Sequence, residues 1–293
     1  MANESQNQTW LDNLNPLKIT EDSKVKDAFI SVVNKIHKKS IDEATMIYEK
    51  ESLYFKKALA ANDKLKNCTK ISLYSAFTEI AIQGISIQPG QKSEAYLEAR
   101  GVNIGTRQQP QYIDTCMLRI TAYGELNMRI TSGQIIRMKN PIVLYDGDHF
   151  QPLTNQRGEL YVDYKPAIPR KSQKIYGAWV CIELPGDSLD FKWLLDDDIA
   201  RLMNYSIPKF GTERGNPNAL YTANGGQIDP GFLEAKTIKH AMRAYTKLRV
   251  SDVAAFEDEG DPETPEAFGD NHNTPAAAPK NTVSVEINKD EPF

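Results

Sequence analysis

The sequence predicts an α+β fold: a helical N-terminal part, a small antiparallel sheet with a central strand-helix-strand unit, a basic C-terminal helix and a disordered acidic tail. Three observations carry this. Apolar residues recur at three-to-four spacing over Phe29, Val32, Val33 and Ile36 and again over Ile238, Ala241, Met242, Tyr245 and Leu248, the period of a helix with one buried face. Gln111 to Ala122 (QYIDTCMLRITA) is β-branched, aromatic and partly alternating, as a strand with one buried face should be. From Phe256 onward the chain is Asp, Glu, Pro, Ala, Asn and Thr with hardly any large apolar residue, too little to bury against itself.

Taken in order, residues 1–22 are polar and read as a loose N-terminal arm. Ser23 is placed to cap a helix running through Lys39, and a second helix is expected from about Asp42 to Ala61. A buried helix with Leu73, Phe77, Ile80 and Ala81 ends at Gly84, and Pro89-Gly90 turns the chain into the first strand. Gly101 to Pro110 reads as a hairpin connection carrying Arg107, with Arg100 just before it. After the strand at 111–122, Tyr123 to Thr131 forms a helix stopped by Ser132-Gly133, and Gln134 to Tyr145 resumes an extended pattern interrupted by Pro141. Beyond Phe150 a connection leads to strands at Leu160–Pro166, Lys174–Leu184 and Leu189–Leu195, the last two joined by the Pro185-Gly186-Asp187 turn. Asp196 or Asp197 starts a helix toward Tyr205, a long loop covers residues 206–231, and residues 232–250 form the clearest amphipathic helix. The organisation is an arm (1–22), one domain (23–255) and a tail (256–293).

The net charge of -4 hides a division. The segment from Phe256 to the end holds ten acidic and two basic residues, a net of -8; -4 minus -8 leaves +4 for the body. An acidic chain is thus compatible with a nucleic-acid-binding body. Three cysteines, Cys68, Cys116 and Cys181, sit far apart in apolar surroundings and read as buried thiols rather than disulfides or zinc ligands. No apolar run approaches the roughly 20 residues that cross a bilayer, and the N-terminus lacks the basic and apolar regions of a signal peptide, so a cytosolic location is expected. Trp179 and Trp193 read as core anchors.

Three stretches carry a family resemblance. In residues 67–101, Ser72, Ser75-Ala76, Gly84, Pro89-Gly90 and Ala95-Tyr96-Leu97 recur in the order of the RecT family of phage single-strand annealing proteins. "YGELNMRITSGQI" followed by "DGDHF" resembles that family's central segment, although the aromatic Tyr123 stands one place later than usual. "AKTIKHAMR" is similar to its late Ala-Lys-Lys-Thr helix, with Ala235 replacing one lysine. The resemblance covers roughly residues 42–250. It implies an ATP-independent protein that binds single-stranded DNA, oligomerises as rings or filaments, and pairs complementary strands during phage or prophage recombination in a bacterial cytoplasm, with a partner exonuclease.

Annealing needs no nucleophile and no cofactor. It needs phosphates neutralised so that two polyanions approach, and bases left open to pair. The expected DNA-binding residues are Lys236, Lys239, Arg243 and Lys247 on the late helix, where Lys236, His240, Arg243 and Lys247 make a basic ridge. Arg119, Arg129, Arg137 and Lys139 are added from the central unit, Arg100 and Arg107 from the hairpin, and Tyr123 as a stacking aromatic. The last four residues, Asp290, Glu291, Pro292 and Phe293, resemble the acidic Pro-Phe tip of bacterial single-stranded-DNA-binding proteins, which implies docking to host repair proteins. Two other classes stand beside this reading. One is a protective coating protein that does not anneal; the other is a metal-dependent recombination nuclease, for which Asp146, Asp148 and Asp196 to Asp198 are the dense carboxylates. A phosphate-binding P-loop is absent from the sequence, which argues against ATP-driven strand exchange.

Overall fold

The structure is a computed structural model and describes residues 10–106, 108–208 and 215–245. The N-terminal half is helical. Helix α1 (Ser23–His37) starts at Asp22, whose carboxylate accepts the Lys24 N–H, so the cap lies one residue before the expected Ser23. Val25, Phe29 and Val33 form its buried stripe, and Lys38 ends it in the left-handed region at φ 52°. Helix α2 (Ile41–Ala61) opens with a reciprocal capping box between Ser40 and Glu43. A single turn, α3 (Asp63–Lys66), leads to α4 (Lys70–Gln83), which stops at Gly84, φ 64°, as expected. Phe77 of α4 is the centre of this core, with ring centroids 4.7 Å from Phe29 and 5.0 Å from Phe55.

The loose arm expected over residues 1–22 does not hold for residues 10–22. Leu11 and Ile19 are buried in the helical core, Thr20 is fully buried, and Ser52 donates its hydroxyl to Thr20 at 2.8 Å. The 3-10 turn Pro16–Glu21 is thus part of the domain, laid against α2.

The strands form three antiparallel sheets rather than one. A long ribbon pairs β1 (Ala95–Asn103) with β2 (Tyr112–Ile120), and its inner face, Leu97, Ala99, Cys116 and Leu118, closes the helical core. Helix α5 (Ala122–Thr131) follows; the central strand-helix-strand unit therefore joins two sheets instead of building one. In the second sheet β7 (Ile175–Glu183) is central, with β3 (Arg137–Met138) and β4 (Ile142–Tyr145) along one edge and β8 (Leu189–Leu195) along the other. Residues 149–154, expected as connection, form β5 (His149–Thr154), which pairs with β6 (Leu160–Lys165). Pro152 is tolerated because β5 is an edge strand.

Both faces of β7 are covered. The β5–β6 hairpin lays Phe150, Val162 and Tyr164 over Trp179, Cys181 and Phe191, so the tryptophans serve as core anchors as expected. On the other face, α7 (Pro230–Met242) buries Ile238, Ala241 and Met242 against Val180 and Ile182, and Leu233 against Ala178. Helix α6 (Asp196–Tyr205) begins directly at the end of β8. The long connection before α7 is not bare loop: Tyr221 and Ile228 are buried beside Leu233. All three cysteines are buried thiols, and burial pushes Cys68 up to about 11 and Cys116 to about 12. Among the described residues no helix is long and apolar enough to cross a membrane.

Candidate nucleic-acid interface

Helix α7 begins at Pro230, two residues before the expected start at Phe232. Asp229 accepts the Phe232 N–H at 2.9 Å and Pro230 occupies the first turn. Leu233, Thr237, Ile238, Ala241 and Met242 face the sheet. Lys236, Lys239 and Arg243, at i, i+3 and i+7, therefore share the opposite side, and Lys236 Nζ stands 4.8 Å from the Phe232 ring. The expected ridge through His240 is corrected. His240 is half-buried and burial pushes its pKa down, which favours the neutral ring. Lys247, on the same expected ridge, lies outside the described residues.

Other cations gather round His240 instead. Arg243, Arg201 of α6 and Lys192 of β8 all disfavour its protonation, while Asp198 favours it. Lys192 is tied to Asp190 at 2.9 Å and Arg201 to Asp198 at 2.7 Å. Tyr245 donates to the second oxygen of Asp190 at 2.8 Å and fixes the chain where α7 ends. Lys192 and Arg201 were missed in the sequence because each has an acid two or three positions away and reads as a locally neutral pair.

The central unit divides. Arg119 and Arg129, expected on DNA, are buried and correct that expectation: Arg119 is held by Glu98 across the ribbon, and Arg129 by the carboxylate and carbonyl of Glu125 one turn back. Their guanidinium groups are structural. Arg137 is exposed, its Nε 2.5 Å from Glu183, and Lys139 is exposed one residue beyond β3. Both stand at the sheet end that Tyr245 reaches, since Ile182 pairs with Met138 on one side and Asp190 on the other. Two strand spacings, about 10 Å, separate those flanks. Arg100 is half-exposed on the ribbon opposite Thr115, away from this cluster, and Arg107 lies outside the described residues, as do Asp290, Glu291, Pro292 and Phe293.

Tyr123 is not an open stacking platform. It packs against the apolar cluster to which α7 contributes Ile238, Ala241 and Met242, and Lys92 sits over its ring at 5.7 Å. Burial, and then the Glu234 carboxylate, push its phenol up; Glu234 is itself pushed up by burial and held back by Lys92. Gly124, next in the chain, passes against the Glu94 carbonyl, and Thr121 donates its N–H to that same oxygen at 2.9 Å. Three stretches far apart in the chain, around Lys92, Tyr123 and Glu234, are thereby joined.

Two of the carboxylates weighed for a nuclease, Asp148 and Asp198, hold backbone N–H groups. Asp148 accepts the N–H groups of Tyr145 and Ala167, and Asp198 accepts that of Leu195. Among the described residues no group of three or more His, Cys, Asp or Glu is placed to hold a metal ion. No protein-family model and no curated protein sequence matches the chain.

Proposed function

We propose that this chain is a single-strand annealing protein of the RecT type: it binds single-stranded DNA without ATP and pairs complementary strands in phage or prophage recombination, in the cytoplasm of a bacterial host. The observation that carries the reading is the junction at Tyr123. The three stretches that resemble the family are distant in sequence, yet Lys92, Tyr123 and Glu234 meet there, and α5 and α7 share one apolar contact. That contact turns Lys236, Lys239 and Arg243 away from the core. Arg137, Lys139, Lys192 and Arg201 extend the cationic surface at the sheet end. Interleaved acids, Glu183, Asp190 and Asp198, keep it moderate in charge, which suits a protein that must release phosphates as two strands pair.

On this reading the protein acts as a homo-oligomer, because the surface of one protomer is too short to hold two strands in register. α7 spans about 20 Å at 1.5 Å per residue, or about six nucleotides at a 3.4 Å rise. A partner exonuclease would supply the strand, and the acidic tip at Asp290 to Phe293 would dock to host proteins that recognise single-stranded-DNA-binding proteins.

The deciding experiment mixes labelled complementary oligonucleotides with the full chain, without ATP or divalent metal. Accelerated pairing with intact strands is expected. Binding without acceleration would make the chain a coating protein; degradation on adding magnesium would make it a nuclease; no binding would remove nucleic acid from its function.

A further inference from the structure

Between Asp163 and Glu183 the chain has no acidic residue but four cations, Lys165, Arg170, Lys171 and Lys174. All four are exposed; Lys165 ends β6 and the other three fall on the connection from β6 to β7, far in sequence from the late helix. This connection is pinned rather than loose. Ala167 donates its N–H to Asp148 at 2.8 Å, the carbonyl of Lys174 accepts from the Asp146 N–H at 2.8 Å, and the next residue, Ile175, donates to Gln227 at 2.7 Å.

Between those anchors the Arg170 guanidinium lies 3.8 Å from the centroid of the Tyr145 ring. Stacking occupies a face of the guanidinium and leaves its N–H edges directed sideways, the arrangement that suits a phosphate oxygen. Two residues before it, Ile168 is 85 % exposed, more than any other large apolar side chain described. An aliphatic side chain so fully in water, between cations on a pinned loop, has no packing role in the monomer. The nearby carboxylates are already engaged or offset: Asp148 holds two backbone N–H groups, Asp163 is shared by His149 and Lys165, and Asp146 is exposed.

We propose that the β6–β7 connection is a second single-strand contact, in which Arg170, Lys171 and Lys174 neutralise phosphates and Ile168 rests against an unstacked base. Nucleic acid is favoured over an anionic membrane because one aliphatic side chain buries little in a bilayer interface, whereas apolar side chains set between bases are an established way to hold unstacked nucleotides. The contact lies at the end of the sheet where α7 begins, since Gln227, its anchor, precedes Pro230 by three residues. It rests on the reading of the chain as a DNA-binding protein, and its test separates the two.

The full chain is titrated with a fluorescent thymidine oligonucleotide over a range of salt, beside the triple variant Arg170→Ala, Lys171→Ala, Lys174→Ala and the variants Lys171→Ala and Ile168→Ala. Each phosphate contact on a single strand contributes about -0.7 to the slope of log affinity against log salt, so the triple variant should lose up to about 2 and Lys171→Ala about 0.7. Ile168→Ala should weaken binding severalfold at every salt concentration with its slope unchanged. Among the described residues no aromatic ring lies against Lys171, so its variant decides the matter even if loss of the Arg170–Tyr145 stack unfolds the triple variant. If the parent chain binds and Lys171→Ala keeps both slope and affinity, this contact is overturned and the broader function stands. If the parent chain binds no oligonucleotide, both fall. Loss of binding to phosphatidylserine vesicles in the variants, with DNA slopes unchanged, would reassign the loop to a membrane and overturn the proposal.

Discussion

A Cβ placed on Gly124 would lie 2.1 Å from the carbonyl oxygen of Glu94. The first turn of α5 thus rests directly on the chain entering β1, at a distance no side chain survives. Elsewhere in a helix Gly→Ala stabilises, by roughly 0.5–1 kcal/mol. Here the obstacle is backbone, so Gly124→Ala should destabilise by about 1–3 kcal/mol. A urea midpoint that stays or rises in this variant would show that the two segments separate without cost.

Arg119 and Arg129 should behave as parts of the fold. Arg119→Ala strands Glu98, which is partly exposed, and should cost about 1–3 kcal/mol, below the value for a fully buried pair. Its DNA salt slope should match that of the parent chain once the protein is refolded at low temperature. A slope reduced by about 0.7 with unchanged stability would return Arg119 to the DNA surface.

The late helix should behave in the opposite way. Lys236→Ala together with Arg243→Ala should flatten the salt slope by about 1.4 while far-ultraviolet circular dichroism and the melting temperature stay close to the parent values. Parental slopes in a folded double variant would take α7 off the DNA path.

His240 gives the fold a pH dependence of known sign. Burial lowers its folded-state pKa below the unfolded value of about 6.5, so between those two values the unfolded chain binds more protons. Stability contributed by the neutral ring is full above about pH 6.5 and is lost as pH falls toward the folded value. Asp198 opposes this trend; Arg243, Arg201 and Lys192 reinforce it. His240→Gln should remove that part of the slope of unfolding free energy against pH, measured in urea between pH 5 and 7.5, and an identical slope in the variant would place the dependence elsewhere.

Local signals in the sequence were enough for most elements. The left-handed Gly84 and the turn at Pro185-Gly186-Asp187 act within a few residues and are visible without a partner. β5 was hidden because Pro152 argues against a strand and only β6 shows that its edge is open. The site was less legible. Arg119 can be told from a surface cation only once the register sets Tyr96 opposite it and Glu98 within reach, and Lys192 and Arg201 acquire meaning only when α6, α7 and β8 meet at His240. The β6–β7 cations were legible as charge but not as a site, because nothing in the sequence reveals that Tyr145 lies under Arg170.

The three tryptophans are divided between the two cores. Trp10 packs edge-on against Tyr74 beside the N-terminal helices, while Trp179 and Trp193 flank Phe150 in the sheet. Intrinsic fluorescence therefore reports each half by its own chromophores: Trp10→Phe leaves emission from the sheet alone, and a chain keeping only Trp10 reports the helices. Whether the halves melt as one cooperative unit, with α5 carrying the chain from ribbon to sheet, becomes a question for two emission curves recorded on the same denaturant axis.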